Sequence, residues 1–325
     1  MRGSVFDLRV SCLFVRLVPR SAPALVWRCM WRGMWLAALG LVAAGAISPE
    51  RARAWCRTTT ETPLTGSDCI HEGLPLAWDR QCISFTVEDP GESGPPIEDV
   101  RDAADRSFAS WSSVQCDGRP IGLELRQTRQ LAECGVAQHD RQGPNMNAIL
   151  FVEDWNSQED LPADAFAVTL VWNLVKTGEI VDADMLVNPT LGQLTICGDS
   201  CPRNPVVVDV QNVITHEAGH FLGLAHSNVF DATMSSTAPV GETKKRTLDG
   251  DDAEGLCAIY GSLPPAQCNE DGGDYVPPRG FSARCSTPRQ TGCTCSMPGT
   301  TRPSGWALGL GALALAAWFT RRRAS

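Results

Sequence analysis

The sequence predicts a mixed α/β domain of the α+β kind. Three observations predict it: a stretch with apolar residues at helical spacing, a central block of short apolar and alternating runs, and two later segments that open on helix-capping acids. Val100, Ala104, Phe108 and Trp111 share one face of EDVRDAADRSFASW, after the breakers Gly94, Pro95 and Pro96, and so predict the first helix. Ile121, Leu123 and Leu125 then alternate with smaller or polar residues, residues 148–152 (AILFV) form a continuous apolar run, and Phe166, Val168, Leu170 and Trp172 alternate again. These are expected strands. The turn residues Lys176, Thr177 and Gly178 lead into residues 179–187, a further strand able to pair back on its predecessor. Asp209 is placed to cap a second helix beginning near Val210. Asp251, Asp252 and Glu254 open a third before LCAIY, where a helix N-terminus favours negative charge.

With 325 residues, 43% of them hydrophobic, the chain can bury a core. Its formal net charge of -9 is unevenly spread: the first 54 residues hold eight arginines and two acids, and the remainder stands at 20 basic against 35 acidic groups, or -15. That balance excludes a nucleic-acid binder and indicates a soluble surface. Of 14 cysteines, Cys12 and Cys29 fall in the first 54 residues and 12 lie beyond. An even, scattered set implies disulfides and an oxidising compartment. No CxxC pair offers a cysteine-ligated metal, and Cys293-Thr294-Cys295 is too tight for the usual zinc spacing.

Residues 34–47 (MWLAALGLVAAGAI) are uncharged, follow Arg28 and Arg32 and precede Ala52-Arg53-Ala54, the layout of a secretory signal cut before Trp55. A start at Met30 would give this leader ordinary proportions. Residues 306–320 (WALGLGALALAAWFT) are apolar and are followed by Arg321, Arg322 and Arg323, which the positive-inside rule keeps cytoplasmic. The run is short against the roughly 20 residues of a stable span, which fits a transient anchor. It resembles the C-terminal sorting tags of myxobacterial surface proteins, in which a cysteine-containing motif, here Gly292-Cys293-Thr294-Cys295, precedes an apolar stretch and an arginine cluster. The expected organisation is a signal peptide at 1–54, a globular domain at 55–261, a Pro/Gly/Cys-rich stalk at 262–304, and an anchor or sorting tail at 305–325. A secreted or cell-surface monomer that touches the membrane through its tail is expected.

The chemistry is carried by residues 216–226, HEAGHFLGLAH, which follow the pattern HExxHxxGxxH. His216 and His220 lie four apart on a helix, so both project from one face and can meet one metal ion at about 2.0–2.1 Å. Glu217 can reach a water at that ion rather than the ion itself. Gly223 can adopt positive φ and end the helix, which lets His226 arrive as a third ligand. Three protein ligands leave a fourth position for water, the mark of a catalytic zinc site. A bare HExxH is weak evidence, but by this chain's own composition the longer pattern is expected by chance only roughly ten times in a million. The candidate roles are zinc ligation by His216, His220 and His226 and general-base catalysis by Glu217.

Met234, eight residues after His226, stands where a methionine-bearing turn would pass beneath the metal, and with this motif the sequence resembles the metzincins. Within them it is most similar to the matrixins, through His226-Ser227, the spacing to Met234, and the stretch from Leu248 through DDAEGL (251–256) to Ile259-Tyr260-Gly261. The tyrosine that astacins and serralysins carry two residues after the methionine is replaced by Ser236. The resemblance covers about residues 75–261. It implies a mixed five-stranded sheet with one antiparallel edge strand above the cleft, three helices, and hydrolysis of peptide bonds in protein or peptide substrates. An extended substrate would pair with an edge strand, and Phe166 to Trp172 is the candidate.

The departures also inform. No PRCGxPD-like segment is present, and Cys56 is expected in a disulfide rather than on zinc. Only His71 and His139 remain for the second, structural zinc of animal matrixins, so one zinc is expected. Asp182 and Asp184 lie where the resemblance places calcium, although carboxylates on an exposed strand or turn are usually only solvated. A competing reading is a surface binding or adhesion protein that keeps a zinc fold without turnover, and another is a purely structural envelope protein. The presence of Glu217 and the lack of an obvious fourth ligand near the motif count against them.

Overall fold

The computed structural model describes residues 54–62, 69–269, 275–277 and 284, together with the backbone of 8–17. The apolar segment 34–47 expected to act as a signal, the segment 305–325 expected to act as an anchor or sorting tail, and the Cys293-Cys295 motif lie outside the described residues. Among the described residues no helix is long and apolar enough to cross a membrane.

The principal strands are β1 (Leu8–Leu17), β2 (Cys82–Val87), β3 (Glu124–Gln127), β4 (Ala148–Phe151), β5 (Ala165–Leu174), β6 (Glu179–Val187) and β7 (Thr237–Ala238). The helices are α1 (Ile97–Ser112), α2 (Val210–Phe221) and α3 (Gly250–Tyr260). The main sheet runs β7-β1-β5-β6-β4-β2-β3, with the two-residue strand Ala77–Trp78 added alongside β6. Its centre is the implied five-stranded sheet: β6, β4, β2 and β3 pair in parallel, and β5 runs antiparallel to β6.

The helices form where expected. Six buried positions of α1, including Val100, Phe108 and Trp111, make its inward stripe. Asp209 caps α2 by accepting from the Asn212 amide at 2.7 Å. In α3 the cap is Asp249, two residues earlier than the acids suggested, in a capping box with Asp252.

The sheet is covered on both faces, which explains why residues 148–151 read as unbroken apolar sequence. Ile149 and Phe151 belong to the large core beneath α1 and α2, while Ala148 and Leu150 belong to a second cluster around Trp155. In the large core Phe85 stacks on Phe108 at 3.8 Å between ring centroids, and Phe108 meets Phe221 edge-on at 5.2 Å, so β2, α1 and α2 are locked through one aromatic column.

Several sequence expectations need correction. Ile121 and Leu123 are core residues before β3 rather than part of it, and the strand begins at Glu124. Strand β2 was not anticipated, although Ile83, Phe85 and Val87 alternate with Ser84 and Thr86. The hydroxyls of these last two turn to backbone acceptors, Val276 O at 2.8 Å and Gln130 O at 2.6 Å, and so are buried without cost to the pattern. The largest difference concerns β5: its outer edge, expected to be open, pairs with β1.

Disulfides join Cys56 to Cys69, Cys82 to Cys268, Cys116 to Cys257, and Cys197 to Cys201, so Cys56 is bonded as expected. Past Gly261 the composition changes but the chain stays tied to the domain. Cys268 is bonded to β2, and Val276, buried, bridges to Ile83.

The Cys116–Cys257 link ties the end of α1 to α3 across 141 residues of sequence. Replacing both cysteines by serine is expected to lower stability by about 2–5 kcal/mol, read as a fall in the denaturant midpoint. An unchanged midpoint would show that α3 docks without it.

Candidate active site

Every residue of α2 is buried, so the helix is a packed core element whose polar side chains all need partners. Its N-terminus is fixed by Asp209, which besides capping accepts from the Cys197 amide at 2.9 Å and pairs with the Arg246 guanidinium. At its middle Trp111 of α1 donates its indole N–H to Thr215 O at 2.8 Å. At the end of the helix Gly223 has φ +90°, and a side chain there would meet Leu76 O at 2.6 Å. The chain therefore turns back, and His226 comes to face the helix.

The three histidines converge as the sequence predicted. The ring centroids of His216 and His220 are 4.8 Å apart, and His226 stands 4.8 Å from His220 and 5.4 Å from His216. One ligand atom from each lies within 4.8 Å of the others. His216 Nδ1 is 2.6 Å from Thr233 O, and His220 Nδ1 is 2.9 Å from Leu224 O. A carbonyl oxygen only accepts, so in both rings Nδ1 carries the proton and Nε2 presents a lone pair. His220 Nε2 lies 3.2 Å from His226 Nε2. Two ligands of one tetrahedral zinc ion are about 3.3 Å apart. His216 Nε2 is buried with no hydrogen-bond partner, which would be costly unless it serves a ligand. Burial first, and then the Lys245 and neighbouring histidine charges, hold the pKa of His216 well below the ordinary value; His220 is lowered likewise by burial and by His226. Neutral rings are the form a metal requires. The donor set fits zinc.

Glu217 is fully buried. Its Oε2 accepts from Thr169 Oγ on β5 at 2.6 Å, while Oε1 has no hydrogen-bond partner. Desolvation lifts its pKa to about 8, against the lowering effects of the Thr169 hydrogen bond and Lys245. One oxygen is thus anchored and the other is left to exchange a proton.

Met234 is buried against Gly219 of α2, and the turn around it is clamped from two sides. Asp252 of α3 accepts from the Thr233 and Met234 amides at 2.7 and 3.0 Å. The buried Lys245 donates from Nζ to Thr233 O at 3.0 Å and Ser235 O at 2.6 Å. Thr233 O therefore receives both His216 and Lys245, and it connects His216 directly to the clamp. Gly219 is the other requirement: a side chain there would collide with the Met234 sulfur and with Trp111.

Thr169, Lys245, Asp252 and Gly219 were not anticipated as parts of the site. Asp252 was legible only as a helix-opening acid, and Gly219, Thr169 and Lys245 carried no signal that placed them in the site. Asp182 and Asp184 are not solvated as expected but buried, and burial raises both pKa values well above the ordinary range. Asp182 is hydrogen-bonded to His139 at 2.8 Å, and Asp184 accepts from the Gln138 and Ala148 amides. The pair ties β6 to the loop before β4, and this arrangement gives calcium no support.

A helix-borne histidine pair, a third histidine beyond a glycine turn and a methionine turn beneath them, set against a mixed sheet, define a metzincin-type domain. Residues 149–261 match the matrixin family. The chain is similar to Metalloendoproteinase 5-MMP of Arabidopsis thaliana, 45% identical over 73 residues (22% of this chain, 19% of that protein). It is also similar to Metalloendoproteinase 1-MMP of the same plant, 47% identical over 190 residues (58% and 45%), and to human Matrix metalloproteinase-25, 41% identical over 58 residues (17% and 10%). The matched segments span less than half the length of each of these relatives. Residues 149–261 thus form a matrixin-like metzincin domain.

Asp252→Ala would leave the Thr233 and Met234 amides buried and unpaired, each costing about 1–3 kcal/mol. A marked fall in the thermal midpoint is expected. Gly219→Ala is expected to cost about 1–3 kcal/mol through overpacking against Met234, and a wild-type midpoint for either variant would show that the turn is not held as described.

Proposed function

We propose that the chain is a zinc-dependent endopeptidase in which His216, His220 and His226 hold the metal and Glu217 is the general base. The observation that carries this is the combination of three converging imidazoles, two of them held neutral by burial, with a buried carboxylate that has one anchored and one unpartnered oxygen. The match of residues 149–261 to the matrixin family and the likeness to relatives named as metalloendoproteinases support it. Zinc, when bound, supplies a Lewis acid that polarises the scissile carbonyl and acidifies water.

The protein residues do the rest. Thr233 O and Leu224 O fix two of the rings through Nδ1. Thr169 orients Glu217 so that Oε1 takes the proton of the attacking water and passes it to the leaving amine nitrogen. Burial keeps competing water away from this transfer. The substrate chain lies extended along β5, drawing specificity from its main-chain ladder and from the segment after the methionine turn.

We further propose that the leader directs export, that the segment after 261 serves as a disulfide-tied stalk, and that the tail holds the protein at the cell surface. The acidic, soluble domain and its disulfides agree with an extracellular setting.

Glu217→Ala is expected to retain about one zinc per chain by elemental analysis and to lose at least ~100-fold in casein or gelatin hydrolysis. Retained activity would sink the assignment of the base. His226→Ala should lose both metal and activity, and unchanged zinc content would remove His226 from the ligand set. A chelator should abolish hydrolysis by the native protein.

A further inference from the structure

We propose that the chain's own segment Leu8–Leu17 occupies the substrate groove and keeps the leader-bearing protein latent. This rests on the peptidase reading above. The outer edge of β5 is the strand on which that reading places a substrate, and here it is filled. Strand β1 runs antiparallel to β5 from Leu8 opposite Leu174 to Phe14 opposite Val168 and, after a register shift, Arg16 opposite Ala165. Its far end runs parallel to β7, with Arg16 opposite Thr237 and Leu17 opposite Ala238. Strand β7 comes three residues after Met234, so β1 is threaded between the strand that carries Thr169 and the segment leaving the methionine turn. It also lies beside α2, which bears His216, Glu217 and His220.

Three further observations favour this occupant. The register puts Leu13 opposite Thr169, the residue bonded to Glu217, so the middle of β1 crosses the catalytic centre rather than a remote part of the edge. The sequence LRVSCLFVRL is rich in β-branched, aromatic and other apolar residues and contains neither Gly nor Pro, which suits an added strand. The leader carries eight arginines against two acids, while the rest of the chain stands at -15, so attraction assists docking. A tethered strand acts at an effective concentration of about millimolar. It therefore competes with any extended substrate for the same main-chain hydrogen bonds, and loss of the leader frees them. Latency is thus supplied by a strand in the groove, where no PRCGxPD-like device exists.

The test compares the full chain with a full-length Cys12→Pro/Leu13→Pro variant, in which adjacent prolines remove a ladder donor whichever way the strand faces. In the variant, hydrolysis of a quenched peptide is expected to rise at least 10-fold, and amide exchange across residues 166–173 to quicken at least 10-fold. A synthetic LRVSCLFVRL peptide should reverse both effects. Equal exchange and equal hydrolysis in the two proteins would overturn the proposal, as would exchange of residues 8–17 at unprotected rates in the native chain. Faster exchange in the variant with no hydrolysis by either protein would uphold the occupied groove and refute the peptidase reading. Mass spectrometry of the protein from its own cells that finds no residue upstream of Met30 would overturn it too.

Discussion

The structure depends on bringing three imidazoles together in a place from which water is excluded. Burial alone makes His216 and His220 neutral, but neutrality does not aim a ring. Aim comes from two backbone carbonyls, Thr233 O and Leu224 O, each of which takes the proton side of one ring and leaves the lone pair facing inward. Those carbonyls come from the turn around Met234 and from the chain just past Gly223, so the ligand geometry is only as fixed as those two turns. Much of the domain can be understood as the means of fixing them.

The turn around Met234 shows how. Its amides are held by Asp252 and its carbonyls by Lys245, a negative and a positive side chain, both buried and each satisfied by the backbone it grips. Asp252 belongs to the capping box of α3, and α3 is fastened to the region after α1 by Cys116–Cys257. Helix α2 is held in turn by the Phe85, Phe108 and Phe221 column and by the Trp111–Thr215 hydrogen bond. A change at the disulfide or in the aromatic column is therefore connected to the histidines through a short series of packed contacts.

The sheet has a second task, since the strand that supplies Thr169 to Glu217 also presents the edge along which an extended chain can pair. Glu217 and the edge of β5 are thereby held in one register. An edge with unpaired donors and acceptors is also a liability. Here Leu8–Leu17 covers it.

The sequence by itself determined the local chemistry. The spacing of His216, Glu217, His220, Gly223, His226 and Met234 set which groups could meet, because helical periodicity and a glycine turn act within a dozen residues. The cap at Asp209, the burial of α1 through Phe108 and Trp111, and the continuous apolar run of β4 were legible for the same reason. Tertiary structure decided what depends on residues far apart in the chain. Thr169 lies 48 residues before Glu217, and Asp252 lies 18 after Met234. Nothing local marked Lys245 for burial until packing enclosed it, and Asp182 and Asp184 looked solvated until the loop before β4 closed over them. Only the folded sheet could show that the outer edge of β5 is filled, since strand pairing is a choice among partners that no local pattern specifies.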